Sequence, residues 1–182
     1  MAGIENLVIR PATFADVPAL HALVDSSVRG LQANDYSPAV IEGALGHALG
    51  LDKQLILDGT YFIVEAADGV VVGSGGWSYR TTLCGSDQLP GREPAKLDPA
   101  VDAAKIRAIF VHPSWARKGL GSMILAHCEK QAEEAGFRRL EMGSTLTGVP
   151  LYRLRGYRET ERIAIPLPNG EDLAVVRMVK SV

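Results

Sequence analysis

The segment HPSWARKGLGSMIL, residues 112–125, decides the fold, because it connects a strand pattern to a helix pattern through a basic glycine turn. The residues before it, AAKIRAIFV at 103–111, predict a strand. After it, apolar residues recur at every fourth position on one helix face, and Gly136 predicts the end of that helix. The apolar positions are Leu120, Ile124, Cys128 and Ala132. A strand followed by such a turn and a helix brings free backbone N–H groups to the positive end of a helix dipole.

The turn between these two elements predicts an anion site. Gly119 and Gly121 let the backbone curve and leave no Cβ in the way of a ligand. Arg117 and Lys118 add positive charge beside the same amides, which suits a pyrophosphate. No segment reads G-x-x-x-x-G-K-[ST], and Ile124 stands where a dinucleotide fingerprint needs its third glycine, so both nucleotide motifs are excluded. A tight turn with two solvated bases is the alternative interpretation.

Length and composition predict one soluble cytoplasmic domain, residues 1–182. The 182 residues can bury a substantial core, and a net charge of −2 gives no indication of nucleic-acid binding. The start, MAGIENLVIR, lacks the features of a signal peptide, and no stretch approaches the roughly 20 apolar residues of a membrane span. Two cysteines are too few for a disulfide scaffold. The sequence leaves the oligomeric state open, with a homodimer among the alternatives.

The rest of the chain predicts a mixed α/β fold in the order β-α-α-β-β-β-α-β-α-β-β, with about seven strands and four helices. The cluster GSGGW at 73–77 has no helix behind it, which favours a bulge or a close backbone approach at a strand end. The stretch from Thr81 to Ala100 has many turn residues and no periodicity. It is interpreted either as a functional lid or as a surface insertion.

The segment IRAIFVHPSWARKGLGSMIL, residues 106–125, resembles the acyl-coenzyme A motif of the GNAT superfamily of N-acetyltransferases. That family's signature is Arg/Gln-x-x-Gly-x-Gly/Ala, and the matching run is Arg117-Lys118-Gly119-Leu120-Gly121-Ser122. If the two glycines of the signature are aligned with Gly119 and Gly121, its first position falls on Ala116. The arginine of this chain, Arg117, stands one position later. With the preceding strand end, the following helix and PLYRLRGY at 150–157, the resemblance extends from Ile9 to Met178. It implies a single-domain GNAT-like fold whose mixed, mostly antiparallel sheet is splayed at the acyl-coenzyme A strand.

The resemblance also implies a reaction, the direct transfer of the acetyl group of acetyl-coenzyme A to a primary amine of an unidentified acceptor. The backbone of Ile109, Phe110 and Val111 would pair with the pantetheine arm like an added strand. The turn from Arg117 to Ser122 would hold the pyrophosphate. A non-catalytic acyl-coenzyme A sensor on the same fold is the alternative, and the acyl-chain preference stays open.

Tyr152 matches the tyrosine of the family's LYxxxGF-like segment and is implied as the acid that meets the leaving thiolate. A phenol with a pKa of about 10 can donate to a thiolate with a pKa of about 8.5, whereas a packing role on a short helix is the alternative. Many relatives carry a glutamate on the strand before the turn, but here that strand has Lys105 and Arg107. The general base is therefore unassigned, with Glu65, Glu141 and a water relay as candidates.

Three residues at the end of the hairpin strand, Trp77, Tyr79 and Arg80, are predicted to contact the acceptor. The four histidines have no metal-ligand spacing, so no metal is expected. Cys84 lies in a turn-rich stretch without a local signature, which disfavours a nucleophilic role. Cys128 lies on the apolar helix stripe and is predicted to belong to the core.

Overall fold

The computed structural model describes residues 6–86 and 94–182, and in them strands and helices follow one another much as the sequence predicts. The strands of the described residues are β1 (Val8–Pro11), β2 (Tyr61–Glu65), β3 (Val71–Ser78), β4 (Ala104–Val111), β5 (Arg139–Thr145), β6 (Arg158–Pro166) and β7 (Asp172–Ser181). Their α-helices are α1 (Val17–Leu31), α2 (Pro38–Ala44), α3 (Lys53–Leu57), α4 (Leu120–Glu134) and α5 (Val149–Leu154). The predicted mixed α/β fold with seven strands is confirmed, and the described residues hold five helices instead of about four.

Helix α3 is the element that the sequence does not predict. Its five residues, KQLIL, are too few to show a helical period. The local signal is Asp52, whose carboxylate accepts a hydrogen bond from the Gln54 N–H at 3.0 Å and caps the helix. None of the helices in the described residues is long and apolar enough to cross a membrane.

The sheet runs in the order β1-β2-β3-β4-β5-β7-β6, and every neighbouring pair except β4 and β5 is antiparallel. The parallel ladder between β4 and β5 consists of two residue pairs, Ala104 with Leu140 and Lys105 with Glu141. Beyond these pairs the two strands separate, which confirms the predicted splay. The sheet is thus open in its middle on the side where β4 and β5 end.

Helices cover both faces of the sheet. Along β2, Phe62 and Val64 pack in the cluster that contains the apolar stripe of α4. Tyr61 and Ile63 alternate with them and pack in the cluster of α1 and α3. Because side chains of a strand point alternately to its two sides, α4 lies on one face while α1 and α3 lie on the other.

The glycines of β3 confirm the predicted close approach, whereas the bulge lies opposite them in β4. A Cβ at Gly75 would lie 2.5 Å from Ile124 Cγ2, and one at Gly76 would lie 2.5 Å from the carbonyl oxygen of Thr60. The register between β3 and β4 also shifts between Ser74 and Gly76. Helix α4 can therefore lie directly on β3, which fixes the position of the glycine turn at its N-terminus.

The first strand is tied to the rest of the sheet by a charged cluster that makes folding stability sensitive to acid. Arg10 donates two hydrogen bonds to Asp16, at 2.8 and 2.9 Å, and also pairs with Glu65 of β2. Its guanidinium holds the pKa of Asp16 at about 2, below the ordinary value of 3.8.

We expect Asp16→Asn to lower the free energy of unfolding by about 1 kcal/mol at pH 7, allowing for solvent screening of the pair. A lowered pKa in the folded state means that this stabilisation is present above pH 3.8 and is lost as the pH falls through about 2. Urea unfolding at a series of pH values should therefore show the two proteins converging towards pH 2. Asp25→Asn removes an exposed pair with Arg29 and serves as the control, with no measurable change expected. A difference that stays constant with pH would contradict this account.

Candidate active site

A cavity occupies the opening between β4 and β5. Residues 106–110 of β4 and 142–145 of β5 line it, together with Tyr152 of α5 and the segments 48–50 and 83–85. Side chains from both faces of the sheet contribute, since Ile106 packs in the α4 cluster and Phe110 in the cluster of α1 and α2. The cavity is thus lined by residues from both faces of the sheet.

A bulge in β4 shapes the wall of this cavity. Ala108 has a φ of 51°, the left-handed conformation that an alanine adopts only when its surroundings impose it. The Tyr61 hydroxyl donates to the carbonyl oxygen of Ala108 at 2.9 Å and lies 3.0 Å from Ser74 Oγ. Burial raises the pKa of Tyr61, so the hydroxyl keeps its proton and holds the bulge in place.

Beyond the bulge, the last residues of β4 have β3 as their strand partner on one side only. Ile109 and Phe110 line the cavity. The N–H of Val111 donates to Ser27 Oγ of α1 at 3.2 Å. The edge of β4 that faces the splay is therefore open at Ile109, whereas at Val111 a hydroxyl of α1 occupies it.

The glycine turn begins where β4 ends and is built from two left-handed residues. Arg117 has a φ of 64° and Gly119, the N-cap residue of α4, has a φ of 88°. The first hydrogen bond of this helix turn is donated by the Met123 N–H to the Gly119 carbonyl at 3.0 Å. The amides of Leu120 to Ser122 precede it and are therefore the free N-terminal donors of α4. Lys118 Nζ lies 5.4 Å from the centre of the Trp115 ring, which places its charge over that ring.

Gly121 is required for space and not for backbone conformation. The left-handed glycine of this turn is Gly119. A Cβ at position 121 would lie 3.2 Å from Leu151 Cδ2 and 3.8 Å from Val111 Cγ2. The glycine therefore lets α4 approach both α5 and the end of β4.

Helix α5 brings Tyr152 beside the turn. Arg155, just after this helix, donates from Nε to Ser122 Oγ at 3.1 Å, which joins α5 to the start of α4. Tyr152 lines the cavity, and its ring meets that of Tyr157 edge to face at 5.9 Å. Burial raises the pKa of the Tyr152 phenol, so it is a proton-bearing hydrogen-bond donor at neutral pH. The open strand edge and this phenol thus border one cavity, and the turn adjoins it through the contact of α5 with the start of α4.

The sequence profile of the acetyltransferase (GNAT) family matches residues 29–157, more than two thirds of the 182-residue chain. The chain belongs to the GNAT family. A comparison with curated proteins gave no match.

Solved structures of GNAT proteins share the fold. The GCN5-related N-acetyltransferase from Rhodopseudomonas palustris is 24% identical, covers 100% of this chain and 99% of its own, and has a TM-score of 0.70. PaiA N-acetyltransferase from Thermoplasma acidophilum, solved with coenzyme A, is 15% identical over 97% of this chain and 99% of its own, with a TM-score of 0.66. Ribosomal-protein-alanine N-acetyltransferase from Brucella melitensis is 20% identical over 96% of this chain and 99% of its own, with a TM-score of 0.63. At these identities the likeness establishes the GNAT fold.

In this GNAT fold, the three residues predicted to contact the acceptor lie away from the cavity lining. Trp77 is buried in the core, with its ring 6.0 Å from that of Phe137. Arg80 forms a two-bond ion pair with Asp58, at 2.6 and 2.8 Å. Tyr79 lies between the charged groups of Arg80 and Lys96, at 5.3 and 6.0 Å from its ring centre.

The candidate bases on strands are also engaged elsewhere. Glu65 pairs with Arg10 at the β1–β2 edge of the sheet. Glu141 accepts hydrogen bonds from Lys105 Nζ and, at 3.1 Å, from Arg177 Nε, where β4 and β5 still pair. Neither carboxylate lines the cavity, so the general base of this GNAT chain stays unassigned.

Two features of the cavity were missed by sequence reasoning. Arg107 is buried and donates to Asp52 Oδ2 at 3.0 Å, to the Thr82 carbonyl at 3.1 Å and to the Gly85 carbonyl at 2.8 Å. It thereby holds the segment 83–85 against the cavity. Gln32, which ends α1, also lines the cavity. Single polar residues without a neighbouring motif give no signal in the sequence.

The remaining sequence predictions concern the two cysteines and the long loop. Cys128 is fully buried on the α4 stripe, as predicted, and burial raises its pKa. Cys84 lines the cavity. Of the loop from Thr81 to Ala100, residues 87–93 lie outside the described part of the chain, and residues 83–85 form part of the cavity wall. Among the described residues, no group of three histidine, cysteine or acidic side chains is arranged to hold a metal ion.

Proposed function

We propose that this GNAT chain transfers the acetyl group of acetyl-coenzyme A directly to a primary amine of an acceptor molecule. The observation that carries the proposal is a cavity bordered by the β4 edge and Tyr152, with the glycine turn joined to it through α5. The three features are the cationic glycine turn at the start of α4, the unpaired edge of β4 and the phenol of Tyr152.

The turn fits the pyrophosphate of coenzyme A. The amides of Leu120, Gly121 and Ser122 are the free N-terminal donors of α4, and Arg117 and Lys118 belong to the same turn and carry positive charge. The oxygens of a pyrophosphate are acceptors with negative charge, so donor type and charge are complementary.

The edge of β4 fits the pantetheine arm, whose amides can pair with a strand. Ile109 and Phe110 lie at the splay, and the Val111 N–H exchanges its bond with Ser27 for one to the ligand. The thioester then lies where the cavity passes between β4 and β5, beside Tyr152.

The reaction needs the acceptor amine in its neutral, deprotonated form. The amine nitrogen attacks the thioester carbonyl carbon, a C–N bond forms and the C–S bond breaks. The nitrogen gives one proton to solvent, and the coenzyme leaves as a thiolate that accepts a hydrogen bond from the Tyr152 hydroxyl.

The proposal is tested by measuring thiol release from acetyl-coenzyme A with and without a panel of primary amines. Release that depends on the added amine, together with the acetylated amine in a mass spectrum, is the expected result. Tight binding of acetyl-coenzyme A in calorimetric titration without any amine-dependent turnover would contradict it. That result would favour an acyl-coenzyme A sensor.

A further inference from the structure

Gln32 lies in the wall of the cavity. It is the C-cap residue of α1, is 7% exposed and lines the cavity. Its backbone carbonyl is occupied, since it accepts from the Asp35 and Tyr36 N–H groups at 3.1 and 3.0 Å. The side-chain oxygen Oε1, in contrast, is buried and has no hydrogen-bond partner among the described residues.

A buried carbonyl oxygen without a partner destabilises the folded protein, because it loses its bonds to water and gains none. Buried polar groups in native proteins are nearly always satisfied, and the exceptions require an explanation. A ligand in the cavity that carries an N–H group supplies the missing donor. A bound ligand would thus supply the hydrogen bond that Gln32 Oε1 lacks in the free protein.

The surroundings of Gln32 define what else the ligand carries. On the same face of the sheet the lining includes Leu49, Phe110, Leu173 and Val175, which belong to the apolar cluster of α1 and α2. Arg107 is the one charged side chain among the described residues of the lining.

Arg107 is committed to other partners. Its guanidinium already binds Asp52 and two backbone carbonyls, so its charge is balanced within the protein. The described part of the lining contains no carboxylate, and a second cation on the ligand would find no counter-ion there. A charge on the ligand would lose its hydration without a partner, which is costly in an apolar site.

We infer that the acceptor is a primary amine on an apolar, uncharged body, and that its N–H group donates to Gln32 Oε1. The inference rests on the proposed function and names the substrate class for it. One N–H of the neutral amine binds the glutamine oxygen, which leaves the nitrogen lone pair for the thioester carbon. Amino acids and polyamines are disfavoured, since the described residues of the lining do not match their additional charges.

The first test compares pairs of amines that differ by one charge. Phenylalanine adds a carboxylate to 2-phenylethylamine, and 1,6-diaminohexane adds a second cation to hexylamine. We expect kcat/KM to be at least tenfold higher for 2-phenylethylamine than for phenylalanine, and at least tenfold higher for hexylamine than for 1,6-diaminohexane. An equal or higher value for the charged member would overturn the inference while leaving the proposed function intact. Absence of turnover with all four amines, while acetyl-coenzyme A binds, would overturn both.

The second test is Gln32→Met, which keeps the length of the side chain and removes its hydrogen-bonding groups. We expect the KM of the preferred amine to rise about fivefold to tenfold. The Kd for coenzyme A should stay within twofold, and Tm should not fall, because the oxygen has no partner in the free protein. The matched control is Gln54→Met, which removes a partnered amide, a 2.9 Å bond to Asp58, and should lower Tm without changing KM.

Two results for Gln32→Met would overturn the assignment. A lower Tm with an unchanged KM would make Gln32 a structural residue. A loss of coenzyme affinity with an unchanged amine KM would show that Gln32 Oε1 binds an amide N–H of the pantetheine arm.

Discussion

Tyr152→Phe is expected to lower kcat about 100-fold, a barrier increase of about 2.7 kcal/mol, while the Kd for coenzyme A stays within a few-fold. The substitution removes one hydroxyl from a side chain that lines the cavity and keeps its ring. A hydrogen bond to the leaving thiolate is strongest when the C–S bond breaks, so its loss appears in kcat. Burial raises the pKa of this phenol, so the hydroxyl donates a hydrogen bond to the thiolate but does not readily give up its proton. The expected loss of kcat is therefore at the lower end of the range seen for general acid catalysis.

Steady-state kinetics with an accepted amine, alongside titration with coenzyme A, measure this effect. The matched control is Tyr157→Phe, the same change on the ring that meets Tyr152 edge to face, outside the cavity lining. Its kcat should remain close to that of the unmodified protein. If Tyr152→Phe retained the original kcat, Tyr152 would be a packing residue, and a fall in affinity alone would make it a binding contact.

Gly121→Val is expected to raise the Kd for coenzyme A at least tenfold, a loss of about 1.4 kcal/mol or more. A Cβ here already lies 3.2 Å from Leu151 Cδ2, and the two further methyl carbons of valine extend into the space between the turn and α5. The side chain is therefore expected to displace the amides that we propose to bind the pyrophosphate. The backbone of Gly121 is not left-handed, so the fold should persist.

Gly136→Val at the opposite end of α4 separates loss of binding from loss of stability. Gly136 has a φ of 96°, so a β-branched residue there strains the backbone far from the turn. This control should unfold more easily and bind coenzyme A normally. An unchanged Kd in folded Gly121→Val would remove the anion site from the turn.

The parts of the structure that sequence reasoning predicts are those with local signals. The turn at Gly119, the end of α4 at Gly136 and the burial of Cys128 all follow from neighbours a few positions away in the chain. The opening between β4 and β5 has no such signal, because it depends on two strands whose paired residues are more than 30 positions apart in the chain. It was expected from the family resemblance alone.

The candidate site shows the same division. The turn and Tyr152 carry motifs and lie at adjoining helix ends, whereas Trp77, within β3, and Arg80, just after it, do not line the cavity. Their aromatic and cationic character suits a ligand site and equally suits a core contact and an ion pair, which is what the structure shows. Gln32 and Arg107 acquire their roles from burial and from distant partners, and neither property is visible in a single sequence.

The short ladder between β4 and β5 has a mechanical consequence. The sheet consists of two halves, β1 to β4 and β5 to β7, and two residue pairs form the seam between them. The ion pair of Lys105 with Glu141 fastens that seam at its closed end. A molecule that occupies the opening and pairs with the free edge of β4 continues the ladder beyond the seam. Such a ligand makes the two halves resist separation as one unit, and its binding should slow amide hydrogen exchange on both sides of the opening.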